Sequence, residues 1–211
     1  SEITNGVAII TLNRPALMNA LNTTMRLEIT KAIKAAETEA RCIVLTGAGK
    51  SFCSGQDLSD GGSAATLNLE ATLRDEYVPM LKAIFDCRVP TICAVNGPAA
   101  GAGANLALAA DVVVASQDAF FLQAFTRIGL IPDAGGTYWL PRQIGSARAM
   151  GAALFADKIS AKQAAEWGMI YEAIPMIDFE AHWRARAESL AAGPTETYRH
   201  LKTALRSSGL P

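Results

Sequence analysis

The chain has 211 residues, half of them apolar and 18% charged, with 19 Lys and Arg against 20 Asp and Glu. This balance excludes intrinsic disorder, which needs low hydrophobicity and high net charge, and leaves no basic excess to draw in nucleic acid or an anionic membrane. The length suits one large domain with a continuous core.

In chain order, Val7 to Leu12 is a β-branched run that reads as a strand, broken by Asn13-Arg14-Pro15. Ala16 to Glu39 reads as a helix: Leu21, Met25, Ile29, Ala32, Ile33 and Ala36 recur every three or four residues. Arg26, Lys31, Lys34 and Glu37 take the other face. Cys42 to Leu45 is a second strand, and Ser51 to Gly62 a Gly- and Ser-rich loop. Leu67 to Phe85 reads as a helix that Pro79 must kink or split.

Thr91 to Val95 is a third strand, followed by a Gly/Ala/Pro turn over Gly97 to Gly103 and a small-residue helix over Ala104 to Ala110. Asp111 to Ala115 and Ala119 to Leu122 read as further strands. Ala147 to Phe155, Ser160 to Trp167, Phe179 to Ala192 and Tyr198 to Arg206 are helical, with Ser160 as an N-cap and Met169 to Ile174 as a last strand. Strands alternating with helices predict an α/β domain with mostly parallel pairing. The expected division is a core over 1–145 and a helical region over 146–211.

Cys42, Cys53, Cys87 and Cys93 stand singly in apolar settings, so buried free thiols in a reducing compartment are expected. His182 and His200 lie far from them in a charged tail, and no metal site is expected. The longest apolar stretch, around Ala99 to Ala115, is interrupted by Asn105 and Asp111, which argues against a membrane span. A cytoplasmic protein is the expectation.

Two glycine motifs fail on inspection. Gly47-Ala48-Gly49-Lys50-Ser51 lacks the first glycine of a phosphate loop, since Val44 stands there. Gly101-Ala102-Gly103 has Leu106 where a dinucleotide fold needs its third glycine.

Two small-residue turns remain, each after a strand: Ser51 to Leu58 and Asn96 to Ala104. Brought together, they could offer two backbone N–H groups to one oxygen, as an oxyanion hole does. Tight strand–helix packing turns would look the same. Asp133 is a carboxylate in the next glycine-rich turn, and it reads either as a proton carrier or as a helix N-cap. Arg14, Arg26 and Lys50 read as surface charges.

The ordered motifs Asn13-Arg14-Pro15 with Asn19-Ala20-Leu21, Gly55-Gln56-Asp57-Leu58, and Asn96-Gly97 with Gly101-Ala102-Gly103 resemble the crotonase (enoyl-CoA hydratase/isomerase) superfamily. Gly129 to Thr137, Leu140-Pro141-Arg142 and Ser160 to Ala164 with Gly168 continue the likeness. Asn96 to Leu108, Gln123-Ala124-Phe125, Ile131-Pro132-Asp133 and Glu166 to Ile170 look most like the branch that isomerises ring-1,2-epoxyphenylacetyl-CoA. The resemblance implies a ββα spiral core, homotrimers or dimers of trimers, and an acyl-CoA substrate, with coenzyme A part of the substrate and no separate cofactor. It assigns the oxyanion donors to the N–H groups of Gln56 and Ala102, and runs Gln56-Asp57-Leu58 beside the adenine end of CoA. It also implies helices beyond this C-terminus and a further strand before this N-terminus.

The two glutamate positions of the family's hydratases fall on Asn105 and Phe125, neither a practical acid or base. The resemblance therefore implies an isomerase with Asp133 as the proton carrier, Asn105 hydrogen-bonded within the site, and Phe125, Leu122, Tyr138 and Trp139 as candidate walls of an acyl pocket. The alternatives are Asp133 as a nucleophile, hydration of a 2-enoyl-CoA, and a non-catalytic acyl-CoA-binding protein.

Overall fold

The computed structural model describes residues 2–60 and 68–208. The end of the Ser51–Gly62 loop, the expected helix start at Leu67 and the terminal Gly209-Leu210-Pro211 lie outside them.

The chain is organised around a six-stranded sheet: β1 (Glu2–Thr4), β2 (Val7–Leu12), β3 (Cys42–Gly47), β4 (Thr91–Val95), β6 (Val112–Ser116) and β9 (Glu172–Ile174), in that spatial order. All neighbours pair in parallel except β1 with β2. Both faces are covered, which is why the inner strands read as unbroken apolar runs. Ala8, Ile10 and Leu12 face the main core against α1 (Thr23–Glu39) and the helices beyond it. Val7, Ile9, Cys42 and Val44 face Phe179, Trp183 and Ala187 of α7 (Met176–Ala192).

A second, three-stranded sheet joins β5 (Ala99–Ala100), β7 (Phe120–Leu122) and β8 (Lys158–Ser160). Isolated bridges extend this layer, Cys53 to Ala99 and Leu21 to Gln56. The chain therefore repeats one strand in the large sheet, a short pairing in the small layer, then a helix: a crotonase-like α/β fold. The first turn ends in α2 (Leu69–Thr72) and α3 (Val78–Phe85), the second in α4 (Ala102–Leu108). Downstream lie α5 (Gly136–Phe155), α6 (Ala161–Glu166) and α8 (Thr195–Ser207).

Three predicted elements differ for physical reasons. The first helix begins at Thr23, not Ala16, because Met18 and Asn19 adopt left-handed φ values of 50° and 56° and Asn22 caps Met25 N at 2.9 Å. Pro79 does not break its helix. A π turn over Leu73–Tyr77 precedes it, with Val78 N–H reaching back to Leu73 O, so the wider turn accommodates the proline. Helix α5 starts ahead of the expected Ala147 but is two pieces, separated at Gly145 with φ 76° and ψ 161°. Ser160 caps α6 as expected, its Oγ accepting from Gln163 N at 3.2 Å. All four cysteines are buried and free, and among the described residues no helix is long and apolar enough to cross a membrane.

Gly103 sits where α4 touches the first turn: a Cβ there would lie 2.3 Å from Cys53 O. Gly151, in α5, would meet nothing within 4 Å. In urea titrations Gly103→Ala is expected to lower stability by about 1–3 kcal/mol, while Gly151→Ala should raise it by about 0.4–1 kcal/mol. Equal effects would mean that the contact at Cys53 is not tight.

Candidate active site

The two small-residue turns meet. Phe52 and Cys53 N–H donate to Pro98 O at 3.1 and 3.2 Å, and Ala100 N–H donates to Cys53 O at 2.9 Å. Asn19 anchors the first turn from beneath. Fully buried, its Nδ2 donates to Ala48, Ser51 and Phe52 carbonyls at 3.0, 2.8 and 3.1 Å, and its Oδ1 accepts from Arg14 N at 2.9 Å.

Gln56 pairs with Leu21 through its neighbours only: Leu21 N–H donates to Gly55 O at 2.8 Å and Asp57 N–H to Leu21 O at 3.1 Å. In a parallel bridge this turns Gln56 N–H away from Leu21, and it has no acceptor among the described residues. Ala102 is the first residue of α4, where an N–H has no intrahelical partner. A Cβ on Gly55 would stand 3.4 Å from Ala102 N and 2.8 Å from Ala100 O. Glycine at 55, with φ 95°, thus keeps the gap between the two turns open.

Asp133 follows on the turn before α5. Its side chain does not cap that helix, whose N-cap is Gly135 without a side-chain bond. Instead Asp133 Oδ1 is buried with no hydrogen-bond partner among the described residues. Burial pushes its carboxyl up to about 6. The turn is held by the main chain: Asn105 Nδ2 and Gly136 N–H both donate to Asp133 O at 2.8 Å. Asn105 is fully buried, and its Oδ1 accepts from Gln123 Nε2 at 2.9 Å. Gly136 cannot carry a Cβ, which would lie 2.6 Å from Asn105 Nδ2.

The remaining predicted residues separate. Phe125 is buried beside the second turn, its Cζ 3.8 Å from where a Gly101 Cβ would be. Asp57 is committed to the fold. Ser59 Oγ donates to its Oδ1 at 2.6 Å and Arg14 Nη2 to its Oδ2 at 2.9 Å, and the Ser59 bond first, with Arg14 adding, holds its carboxyl below the usual range. Leu58 is exposed. Tyr138, its N–H donating to Gly135 O at 2.9 Å, stacks its ring edge-on with Phe85 and lines an outer cleft with Lys202 and Arg206. Trp139 stays near: its Nε1, buried without a partner among the described residues, would lie 2.4 Å from a Gly135 Cβ.

Arg26 corrects the sequence reading most. It is 1% exposed, not a surface charge. It pairs with Glu76 at 2.7 Å and Asp60 at 3.3 Å, and its Nη1 donates to Leu21 O at 2.6 Å and Gln56 Oε1 at 2.8 Å. Tyr77, which the sequence did not single out, donates from its OH to the same Gln56 Oε1 at 2.6 Å. Neither has a local signal, because both depend on a loop thirty and twenty-one residues away.

The unpartnered carboxyl has a consequence for stability. With its folded-state pKa near 6 and an ordinary value of 3.8, Asp133 binds its proton more tightly folded than unfolded. It therefore detracts from stability as pH rises from about 4 through about 6, and the loss is complete above that. Allowing for residual solvent, Asp133→Asn is expected to stabilise the fold at pH 7.5 by on the order of 2 kcal/mol, and by nothing below about pH 3.5. Urea unfolding at the two pH values measures this; a variant no more stable at pH 7.5 would mean that the carboxyl is well solvated.

A family model described as "Enoyl-CoA hydratase/isomerase" matches residues 2–209. The chain is 63% identical over 206 residues to a "Probable enoyl-CoA hydratase" of Rhodobacter capsulatus, covering 98% of this chain and 80% of that protein. It is 42% identical over 213 residues to the 1,2-epoxyphenylacetyl-CoA isomerase of Escherichia coli, covering 99% and 81%. An enoyl-CoA hydratase structure from Mycobacterium avium superposes with a TM-score of 0.90 at 34% identity, covering 99% of this chain and 84% of that one. The chain belongs to the enoyl-CoA hydratase/isomerase family, whose members act on acyl-CoA.

Proposed function

We propose that this protein is an acyl-CoA isomerase working with one carboxylate and a backbone oxyanion hole. The observation that carries the reading is Asp133: a carboxyl pushed up to about 6, with a buried oxygen that no group among the described residues satisfies. A group poised near neutral pH both takes and returns a proton efficiently. The two positions that carry glutamate in the family's hydratases hold Asn105, spent on fastening the Asp133 turn, and Phe125. Activating a water for addition normally asks for a further base, and the isomerisation does not.

In the proposed reaction the thioester oxygen accepts from Gln56 N–H and Ala102 N–H. Ionised Asp133 removes a proton from C2, and the electron pair moves onto the held oxygen as an enolate. For a 3-enoyl-CoA the enolate collapses as Asp133 returns that proton to C4, moving the double bond from Δ3 to Δ2. For a ring epoxide of phenylacetyl-CoA, the C–C bond shared by the epoxide and the six-membered ring breaks to give the seven-membered oxepin, and Asp133 returns the C2 proton to a ring carbon. The likeness to the Escherichia coli isomerase favours the aromatic acyl group, and Phe125 beside the second turn suits it.

Hydration of 2-enoyl-CoA is the second reading, favoured by the Rhodobacter capsulatus relative. Crotonyl-CoA separates the two: little loss of enoyl absorbance is expected, and rapid hydration would overturn the isomerase. Asp133→Asn should lower turnover of 3-enoyl-CoA or epoxyphenylacetyl-CoA by about 10²–10⁴ with acyl-CoA affinity kept. Ala102→Pro, which removes one donor at a position where proline fits a helix start, should cost about 10²–10³. Turnover of the parent enzyme should fall as pH drops below about 6, when Asp133 takes up its proton. Unchanged turnover in Asp133→Asn would remove that residue from the mechanism. Bound CoA thioester with no proton exchange into any acyl chain in D₂O would instead mean a binding protein.

A further inference from the structure

We propose that Arg26 and Tyr77 are positioning residues for this reaction. They clamp the Gln56 side chain and thereby hold the Gln56 N–H on the acyl carbonyl oxygen. The inference rests on the oxyanion reading above and assigns a task to a buried cluster which that reading does not use.

Gln56 lies in a loop with little support of its own, a single bridge to Leu21. Its side chain is engaged at both the oxygen and the nitrogen of the amide. Oε1 accepts from Tyr77 OH at 2.6 Å and from Arg26 Nη1 at 2.8 Å, and Nε2 donates to Asp57 O at 3.2 Å. The amide group is therefore held on both ends, and the backbone N–H of the same residue is the one left without an acceptor among the described residues.

Arg26 holds both sides of the bridge. The same Nη1 that reaches Gln56 donates to Leu21 O, which also accepts Asp57 N–H. A guanidinium buried this deeply is costly unless every donor is engaged. Here Nε meets Glu76 at 2.7 Å, and Nη2 meets Asp60 at 3.3 Å and Thr23 Oγ1 at 3.1 Å. Its face also stacks over the Tyr77 ring, 4.9 Å from the centroid.

Glu76 and Tyr77 are consecutive residues of the π turn, and both point into this cluster. A π turn has more residues per turn than an α-helix, so successive side chains lie closer together around the axis. Such turns recur at functional sites. Burial, the leading effect, pushes the Tyr77 phenol up, so its OH stays protonated and remains the donor. The ionised Asp133 acts on the same phenol, so the clamp stands within electrostatic reach of the proposed proton carrier.

The experiment uses the whole chain and cinnamoyl-CoA labelled with ¹³C at the thioester carbonyl. In the parent protein, binding should move the carbonyl stretch to lower frequency in infrared difference spectra. In Tyr77→Phe, which keeps the ring and loses one donor, the shift should shrink. Its kcat should fall about tenfold and KM stay within about twofold. Arg26→Lys, which keeps the charge opposite Glu76 and Asp60, should reproduce the loss by an independent deletion. In a Gln56→Met background, where the acceptor is gone but the N–H remains, Tyr77→Phe should cost nothing further. Parent-like carbonyl shift and kcat in both single variants would reduce the cluster to a strut and overturn the inference. A parent protein that leaves the carbonyl stretch unmoved would overturn the oxyanion reading itself, and the clamp with it.

Discussion

The hydrogen bond from Ala100 N–H to Cys53 O, with Pro98 O accepting two bonds from the first turn, is the constraint on which the rest of this structure depends. It fixes the spacing of two turns that leave parallel neighbours of one sheet. Because β3 and β4 pair in register from Ile43 with Thr91 to Thr46 with Ala94, the turns emerge side by side at the same edge. Small residues then decide how closely they approach. Gly97 would carry a Cβ 2.1 Å from Lys50 O, and Gly103 one 2.3 Å from Cys53 O. A methyl group at either place would force the turns apart and separate the two unpaired N–H groups.

Around that seam the polar groups divide into two kinds. Asn19, Asn105 and Arg26 are almost wholly buried and engaged through several bonds each, as buried polar groups must be if they are not to cost stability. Among the described residues Asp133 Oδ1, Trp139 Nε1, Gln123 Oε1, Gln143 Oε1 and the N–H groups of Gln56 and Ala102 are not engaged. Leaving a buried polar atom unpaired costs on the order of 1–3 kcal/mol.

The left-handed backbone tells the same story. Ala134, with φ 46°, and Gly135, with φ 84°, follow Asp133 directly. Alanine in that region is held by its surroundings, here by the paired bonds onto Asp133 O from Asn105 and Gly136. The carboxyl is therefore presented by a turn whose main chain is pinned while its buried Oδ1 has no partner among the described residues.

Much of the architecture was legible in the chain itself. The apolar runs at Val7, Cys42, Thr91 and Asp111 gave strands near their observed places, because a parallel sheet buried on both faces demands unbroken hydrophobic stretches. The spacing of glycines marked both turns, and Asn105 and Phe125 at acid/base positions turned attention to Asp133. Periodicity failed where long-range contacts override local preference. Ala16 to Asn22 has a helical pattern but is spent on a 3-10 turn and on Asn19, which answers to carbonyls some thirty residues away. The short strands Glu2–Thr4 and Lys158–Ser160 are stable only against partners that local sequence cannot name. Arg26 illustrates the limit. On a helix pattern an arginine opposite the apolar stripe belongs to solvent, yet Glu76, Asp60 and Gln56 converge on it and bury it. The sequence by itself determined the layering, the turns and the chemistry-bearing residue types, because these follow from hydrophobic periodicity and backbone freedom within a few residues. Only the tertiary structure decided which atoms are left unpaired, because satisfaction of a hydrogen bond depends on groups that folding alone brings within three ångströms.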